Sequence, residues 1–195
     1  MSDIFDQPDN ATPLTVEEQR DLRPSYISNR HELNEAEQAN IIRGQDWALR
    51  RRKRGLLTEK FISDLHKKML GDVWRWAGEF RGGEKNLGIP FYRIPMDLYE
   101  LVEEVKGWIE YNSWSPDEIA VRFHHRLVAI HPFPNGNGRH ARLIADLLVM
   151  QLGGERFSWG SANLQDAGEM RERYIAALKD ADNHDYRSLL SFARS

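Results

Sequence analysis

The sequence predicts an all-α helical bundle interrupted once, by a short β-hairpin. Three observations carry that expectation. Apolar residues recur at helical spacing through successive segments, those segments begin at capping residues and end at glycines, and between residues 81 and 95 the pattern stops.

Residues 1–27 read as an N-terminal arm. Pro8, Pro13 and Pro24, with several Asp and Asn residues, oppose regular structure, although Thr15 can cap a short helix reaching Leu22. Residues 28–54 form a long polar helix with Leu33, Ala36, Ala39, Ile41, Trp47 and Ala48 on one stripe. Thr58 starts the next helix, which buries Phe61, Ile62, Leu65, Met69 and Leu70 and stops at Gly71. His66 on this helix reads as a hydrogen-bonded structural residue, and Trp74 and Trp76 as anchors of the following turn. Gly82-Gly83, Gly88 and Pro90 bracket stretches that suit a hairpin, with Phe91-Tyr92-Arg93-Ile94 as one arm. Helices follow over 96–112 and 116–130, the second opened by Ser115-Pro116. A helix over 139–152 is apolar after Arg142 and ends at Gly153-Gly154, and two short helices fill 164–194.

The balance of charge narrows the function classes. The chain of 195 residues carries a net charge of −3, so no global field draws it to nucleic acid or anionic lipid. Arg50-Arg51-Arg52-Lys53-Arg54 is its one basic run, and cations at a helix C-terminus complement the dipole there, so nucleic acid is not an expected partner. The absence of cysteine removes thiolate chemistry and fits a reducing cytoplasm. The polar, acidic N-terminus is no signal peptide, and no apolar run approaches spanning length, so a cytoplasmic protein without membrane contact is expected.

The chemistry concentrates between Ile130 and Arg142. Two prolines and two glycines at 132–138 forbid a continuous helix and force a tight loop. Gly136 and Gly138 allow successive N–H groups to converge as an anion-binding nest, and a helix starting near Gly138 or Arg139 adds its own unpaired amides. Arg139 and Arg142, three apart, share a helix face and suit a polyphosphate. His131 at the mouth of the loop has the side chain suited to moving protons near neutrality. His124, His125, His131 and His140 do not form a zinc pattern, because no familiar ligand spacing is present.

His131-Pro132-Phe133-x-x-Gly136-Asn137-Gly138-Arg139-x-x-Arg142 resembles the active-site motif of the Fic (Fic/DOC) domain family. Trp76-Ala77-Gly78-Glu79-Phe80-Arg81 is similar to that family's upstream segment. The resemblance covers roughly 56–190, and the short N-terminal extension is similar to the subfamily labelled mobile mystery protein B. It implies a Fic-like catalytic domain over 56–195 that transfers AMP from ATP to a Tyr, Ser or Thr hydroxyl of a target protein. His131 would be the general base. The amides of Gly136, Asn137 and Gly138, with the Asn137 side chain, would hold the α-phosphate. Arg139 would hold the β-phosphate and Arg142 the γ-phosphate, and Phe133 would face the core and fix the loop. Asn135 stands where most members place an acid that holds Mg²⁺, so the resemblance implies a neutral metal ligand and weaker affinity.

The resemblance also implies regulation and docking. Ser28-Asn-Arg-His-Glu32-Leu33-Asn34 is similar to an inhibitory pattern, with Leu33 in a glycine's place. It implies that residues 28–55 are an inhibitory helix whose Glu32 pairs with Arg142. The alternative is that Ser28 caps the helix and Glu32 favours its positive end. The 81–95 hairpin, through Gly83, Phe91, Tyr92 and Arg93, would be the flap that holds an extended target segment. A homodimer or an antitoxin-like partner is compatible with the family. Two other functions stay open: a related phosphoryl or nucleotidyl transferase with another donor, and a non-catalytic nucleotide-sensing module. Intact His131, Asn137, Arg139 and Arg142 favour transfer of AMP.

Overall fold

The structure is a computed structural model that describes residues 14–51, 55–160 and 167–195. It consists of eight helices among the described residues: α1 (Val16–Arg20), α2 (Arg30–Arg51), α3 (Glu59–Leu70), α4 (Ile94–Glu110), α5 (Pro116–Ile130), α6 (Asn137–Gln151), α7 (Ala167–Asp182) and α8 (Arg187–Arg194). Those residues form no strand, and Leu22 and Trp74 make an isolated antiparallel bridge. The sequence expectation of a helical bundle holds.

α6 is the central rod. Ala141 and Leu143 to Val149 are all buried, so after its first turn the helix is apolar on nearly every side. α5 packs along it, with α4 and α8 against α5, while α3 touches α6 and carries α2 on its outer side. Capping defines where these helices begin. The hydroxyls of Thr58 and Ser115 accept the N–H groups of Phe61 and Glu118, and Pro116 occupies the first turn of α5.

The buried line of α2 is Leu33, Glu37, Asn40, Gly44 and Ala48. Two of these are polar, which is why a purely apolar stripe misplaces the face. The Asn40 amide donates to the Lys68 carbonyl at 2.9 Å and accepts from the Asp72 N–H at 2.8 Å, tying α2 to the end of α3. At Gly44 the helices touch backbone to backbone: an added Cβ would lie 2.8 Å from the Cα of Met69.

One expectation needs correction. The hairpin at 81–95 is absent: Phe91–Arg93 is a 3₁₀ turn that runs directly into α4 at Ile94. Pro90 ahead of the turn and Pro95 in the first turn of α4 fix φ in a range that starts helices, and the loop carbonyls find a side-chain donor rather than a strand. The N-terminal arm carries a short helix that starts at the expected Thr15 cap. Residues 14–27 pack on the domain, with Leu14 and Ile27 buried. Thr15 and Glu18 close a capping box around α1, the Arg23 N–H donates to Val73 O and the Arg75 N–H to Asp21 O. Residues 1–13, and 52–54 of the basic run, lie outside the described residues.

The backbone contact at Gly44 gives a direct stability test. Gly44→Ala must part α2 from α3, and although alanine favours a helix, overpacking should dominate and destabilise by about 1–3 kcal/mol. Urea unfolding measures it, and an unchanged midpoint would contradict the close approach.

Candidate active site

The loop between α5 and α6 is built from its ends inward. His131 closes α5 in the left-handed conformation, at φ 54°, and its N–H still bonds Leu127 O. Gly136 then turns the chain into α6 at φ 79°. An added Cβ there would lie 2.5 Å from Leu70, so both the conformation and the space demand glycine. Gly138 has no such constraint, since an added Cβ would meet only the Tyr174 hydroxyl, at 3.9 Å.

Between these ends the loop is locked from within. Asn137 is buried, and its side-chain oxygen accepts the Phe133 N–H at 2.9 Å while its amide donates to Phe133 O at 2.8 Å. The Asn137 side chain is therefore a strut of the loop. Phe133 O takes one of the two N–H groups of the side-chain amide, which leaves the second N–H, with the backbone N–H at the start of α6, for a ligand. Phe133 is wholly buried and stacks on His66 at 3.7 Å, as the sequence reading expects. Residues 137–139, in the first turn of α6, have no carbonyl four residues earlier within the helix, so their N–H groups and the helix dipole point at whatever binds here.

Arg81 explains the upstream segment. It is buried, and its Nε donates to His131 O at 2.7 Å, Nη1 to Gly83 O at 2.9 Å, and Nη2 to Ile89 O and more distantly to Ile130 O. The one guanidinium thus holds the 82–90 segment against the His131 loop. The approach is close: an added Cβ at Gly88 would lie 2.6 Å from His131 Cβ. Of the residues assigned to the flap, Gly83 serves Arg81 and the Phe91 N–H faces Glu84 at 3.4 Å. Arg93 forks onto Asp97, while Tyr92 projects into solvent at 72 % exposure.

The electrostatics favour a neutral His131. Burial first, and then the positive charge of Arg81, push its pKa down to about 4, so at neutral pH the ring keeps a lone pair able to take a proton. Burial likewise holds His124 at about 3 and His140 at about 4. These rings are structural: His140 bonds Ile62 O, His124 bonds the Tyr174 hydroxyl, and His125 bonds Asp182. Among the described residues no three His, Asp or Glu side chains gather as a metal site. Asn135 supplies one neutral amide oxygen, and that oxygen accepts the Gly136 N–H at 2.6 Å. This donor set does not fit a resident Mg²⁺.

The arginines meet different partners from those expected. Glu32 does not pair with Arg142: its carboxylate accepts the Ser28 N–H at 2.6 Å and the Ser28 hydroxyl at 3.0 Å. Its own N–H bonds Asn29, and the hydrogen bonds from Ser28 lead in lowering its pKa. Asn29 rather than Ser28 therefore caps α2, and the Glu32 carboxylate stays at the start of the helix, as the alternative to inhibition placed it. The acid that reaches the motif is Glu37, which sequence reasoning missed. One of its oxygens meets Arg139 Nη1 at 2.8 Å and the other accepts the indole N–H of Trp74 at 2.8 Å. Its place on the buried line of α2 is the signal that could have marked it. Arg142 lies 5.3 Å from the centre of the Tyr174 ring.

The depressed histidines set a pH dependence. Because the folded state holds His124, His131 and His140 neutral at pH values where the unfolded chain protonates them, their contribution is complete above about pH 6.5 and declines as pH falls toward 4. Each ring should lower the unfolding free energy by up to about 1.4 kcal/mol per pH unit in that window. Denaturant titrations between about pH 6.5 and 5 should show the decline, and a flat profile would contradict the neutral rings.

Known proteins share this fold. The Fic/DOC family model matches residues 56–149. The chain is 32 % identical over 162 residues to the protein adenylyltransferase Fic of Drosophila mojavensis, and 33 % to that of Drosophila willistoni. Each alignment covers 78 % of this chain but 31 % of the relative, so the chain spans about a third of those proteins. Among solved structures, Fic-1 from C. elegans superposes with a TM-score of 0.64 at 26 % identity, over 92 % of this chain and 52 % of that one. BepC from Bartonella tribocorum, solved with bound AMPPNP, gives 0.65 at 18 % identity over 92 % and 97 %, a likeness of fold. Residues 56–149 therefore form a Fic/DOC family domain, and the 130–142 loop lies within it.

Proposed function

We propose that the chain is a protein adenylyltransferase that moves AMP from ATP to a hydroxyl side chain of a target protein. The observation that carries this reading is a buried His131, held neutral by burial and by Arg81, at one end of the short loop whose other end opens α6 with its unpaired amides, Arg139 and Arg142. In that reaction the His131 ring accepts the proton of the attacking hydroxyl as its oxygen bonds to the α-phosphorus. The bond to the β-phosphate oxygen breaks, and pyrophosphate leaves. The amides of α6 face the charge that grows on the α-phosphate, a stabilisation fixed before reaction because the loop is already locked by Asn137. Arg139 and Arg142 hold the leaving pyrophosphate. Mg²⁺ would enter with ATP as part of the substrate, held by the phosphates. The target lies across the 82–93 segment, where Tyr92 is open to contact.

The ion pair of Arg139 with Glu37 supports restraint of this activity by α2. A polyphosphate must compete with a carboxylate for the same fork, and Glu37 lies on the same helix as the expected inhibitor Glu32. Glu32, engaged with Ser28, could act only by leaving its cap.

One labelling experiment tests both points. ATP labelled at the α-phosphate should pass label to protein in a cell extract, more strongly for Glu37→Gln, and lose that transfer in Glu37→Gln/His131→Ala while ATP binding persists. Turnover unchanged by His131→Ala would remove it as the base. Equal label for wild type and Glu37→Gln would reduce Glu37 to a structural tie. ATP binding without label in every sample would favour a nucleotide-sensing module.

A further inference from the structure

We propose that His66 is a positioning residue of this site, whose ring joins the two motif segments and sets the Asn135–Gly136 peptide from which the phosphate-facing amides start. The proposal rests on the transfer reading for its consequence but on geometry for its substance. His66 lies on α3, away from both motifs in sequence, and is fully buried. The Gly78 N–H lies 2.9 Å from its Nδ1, and an N–H can only donate, so Nδ1 carries a lone pair. Nε2 lies 2.9 Å from the Asn135 carbonyl, which can only accept, so Nε2 carries the proton. A single neutral tautomer satisfies both contacts.

The ring has no freedom to choose another arrangement. One face stacks on Phe133 at 3.7 Å with 12° between the planes, and His140 meets it edgewise at 5.6 Å. Gly78 supplies its N–H only because it sits at φ 87°, where an added Cβ would lie 2.7 Å from Lys67. A phenyl group would fill this space and keep the stacking without burying two polar atoms, which is costly unless both are bonded. What the imidazole adds is register. It fixes the upstream segment through Gly78 and the loop through Asn135, one residue before the turn into α6. A displacement of the amides by about 1 Å costs on the order of 10²-fold in rate.

The test compares His66→Gln, which can return an amide N–H to Asn135, with His66→Asn, which can return only an acceptor to Gly78, and with His66→Phe, which keeps the stacking alone. Nitrogen NMR of the wild-type ring at pH 7 should show the Nε2–H tautomer. The amide resonances of residues 136–138 should move in His66→Phe and His66→Asn and return toward wild type in His66→Gln. Turnover should follow, with kcat down about 10²-fold in the first two, KM for ATP changed far less, and substantial recovery in the third. The Nδ1–H tautomer, an imidazolium, or unmoved loop amides in folded His66→Phe would overturn the proposal. So would a kcat loss that tracks melting temperature equally in all three variants. Absence of transfer by wild type would count against AMP transfer alone, because the ring tautomer and amide positions would still decide the role of His66.

Discussion

The structure of the site depends on one buried charge. Arg81 gives its guanidinium to carbonyls at Gly83, Ile89, Ile130 and His131, while its nearest carboxylate, on the exposed Glu84, stands 3.9 Å away. A buried cation held chiefly by neutral carbonyls is costly unless every donor is used, and burial accordingly lowers the pKa of this arginine. These four bonds form together only when the 82–90 segment and the end of α5 are both in place. The same charge, beside His131, helps keep that ring unprotonated. Arg81 therefore fixes the loop geometry and, after burial, contributes to the neutral state of the candidate base.

Three further cations of this acidic chain stand on the elements that flank the loop. Arg139, Arg142 and Lys85 approach the loop from α6 and the 82–90 segment. Two acids answer them from the N-terminal part of the chain: Glu37 on α2 pairs with Arg139, and Glu18 on α1 pairs with Lys85. Glu37 also serves Trp74, and Glu18 also caps α1, so neither carboxylate is free to leave without loosening the protein locally. A polyphosphate entering the site exchanges one anionic partner of Arg139 for another, which makes occupancy a competition between α2 and ligand rather than the filling of an empty pocket.

Much of this was legible in the sequence. The periodic segments gave the helices, and Thr15, Thr58 and Ser115 marked their starts where the structure has them. The 130–142 run declared a glycine turn, a helix start and two arginines, and all are found there. The misses share a cause: they depend on tertiary partners that local pattern does not encode. The hairpin failed because Pro90 and Pro95 favour a helical start and Arg81 takes the carbonyls that a strand would have paired. Glu32 was chosen by motif spacing, yet Ser28 lies within its reach and Arg142 does not compete. Glu37 and Asn40 were invisible because a stripe sought among apolar residues excludes polar ones that are buried and paired.

The central claim is that the first turn of α6 is a preformed polyphosphate cradle, restrained by Glu37. A crystal structure with a non-hydrolysable ATP analogue tests it most directly. The account predicts a triphosphate against the N–H groups of residues 137–139, the loop unchanged with Asn137 still on Phe133, and Arg139 turned from Glu37 onto phosphate. A nucleotide bound elsewhere, or a loop that refolds to receive it with the Arg139–Glu37 pair intact, would contradict the account.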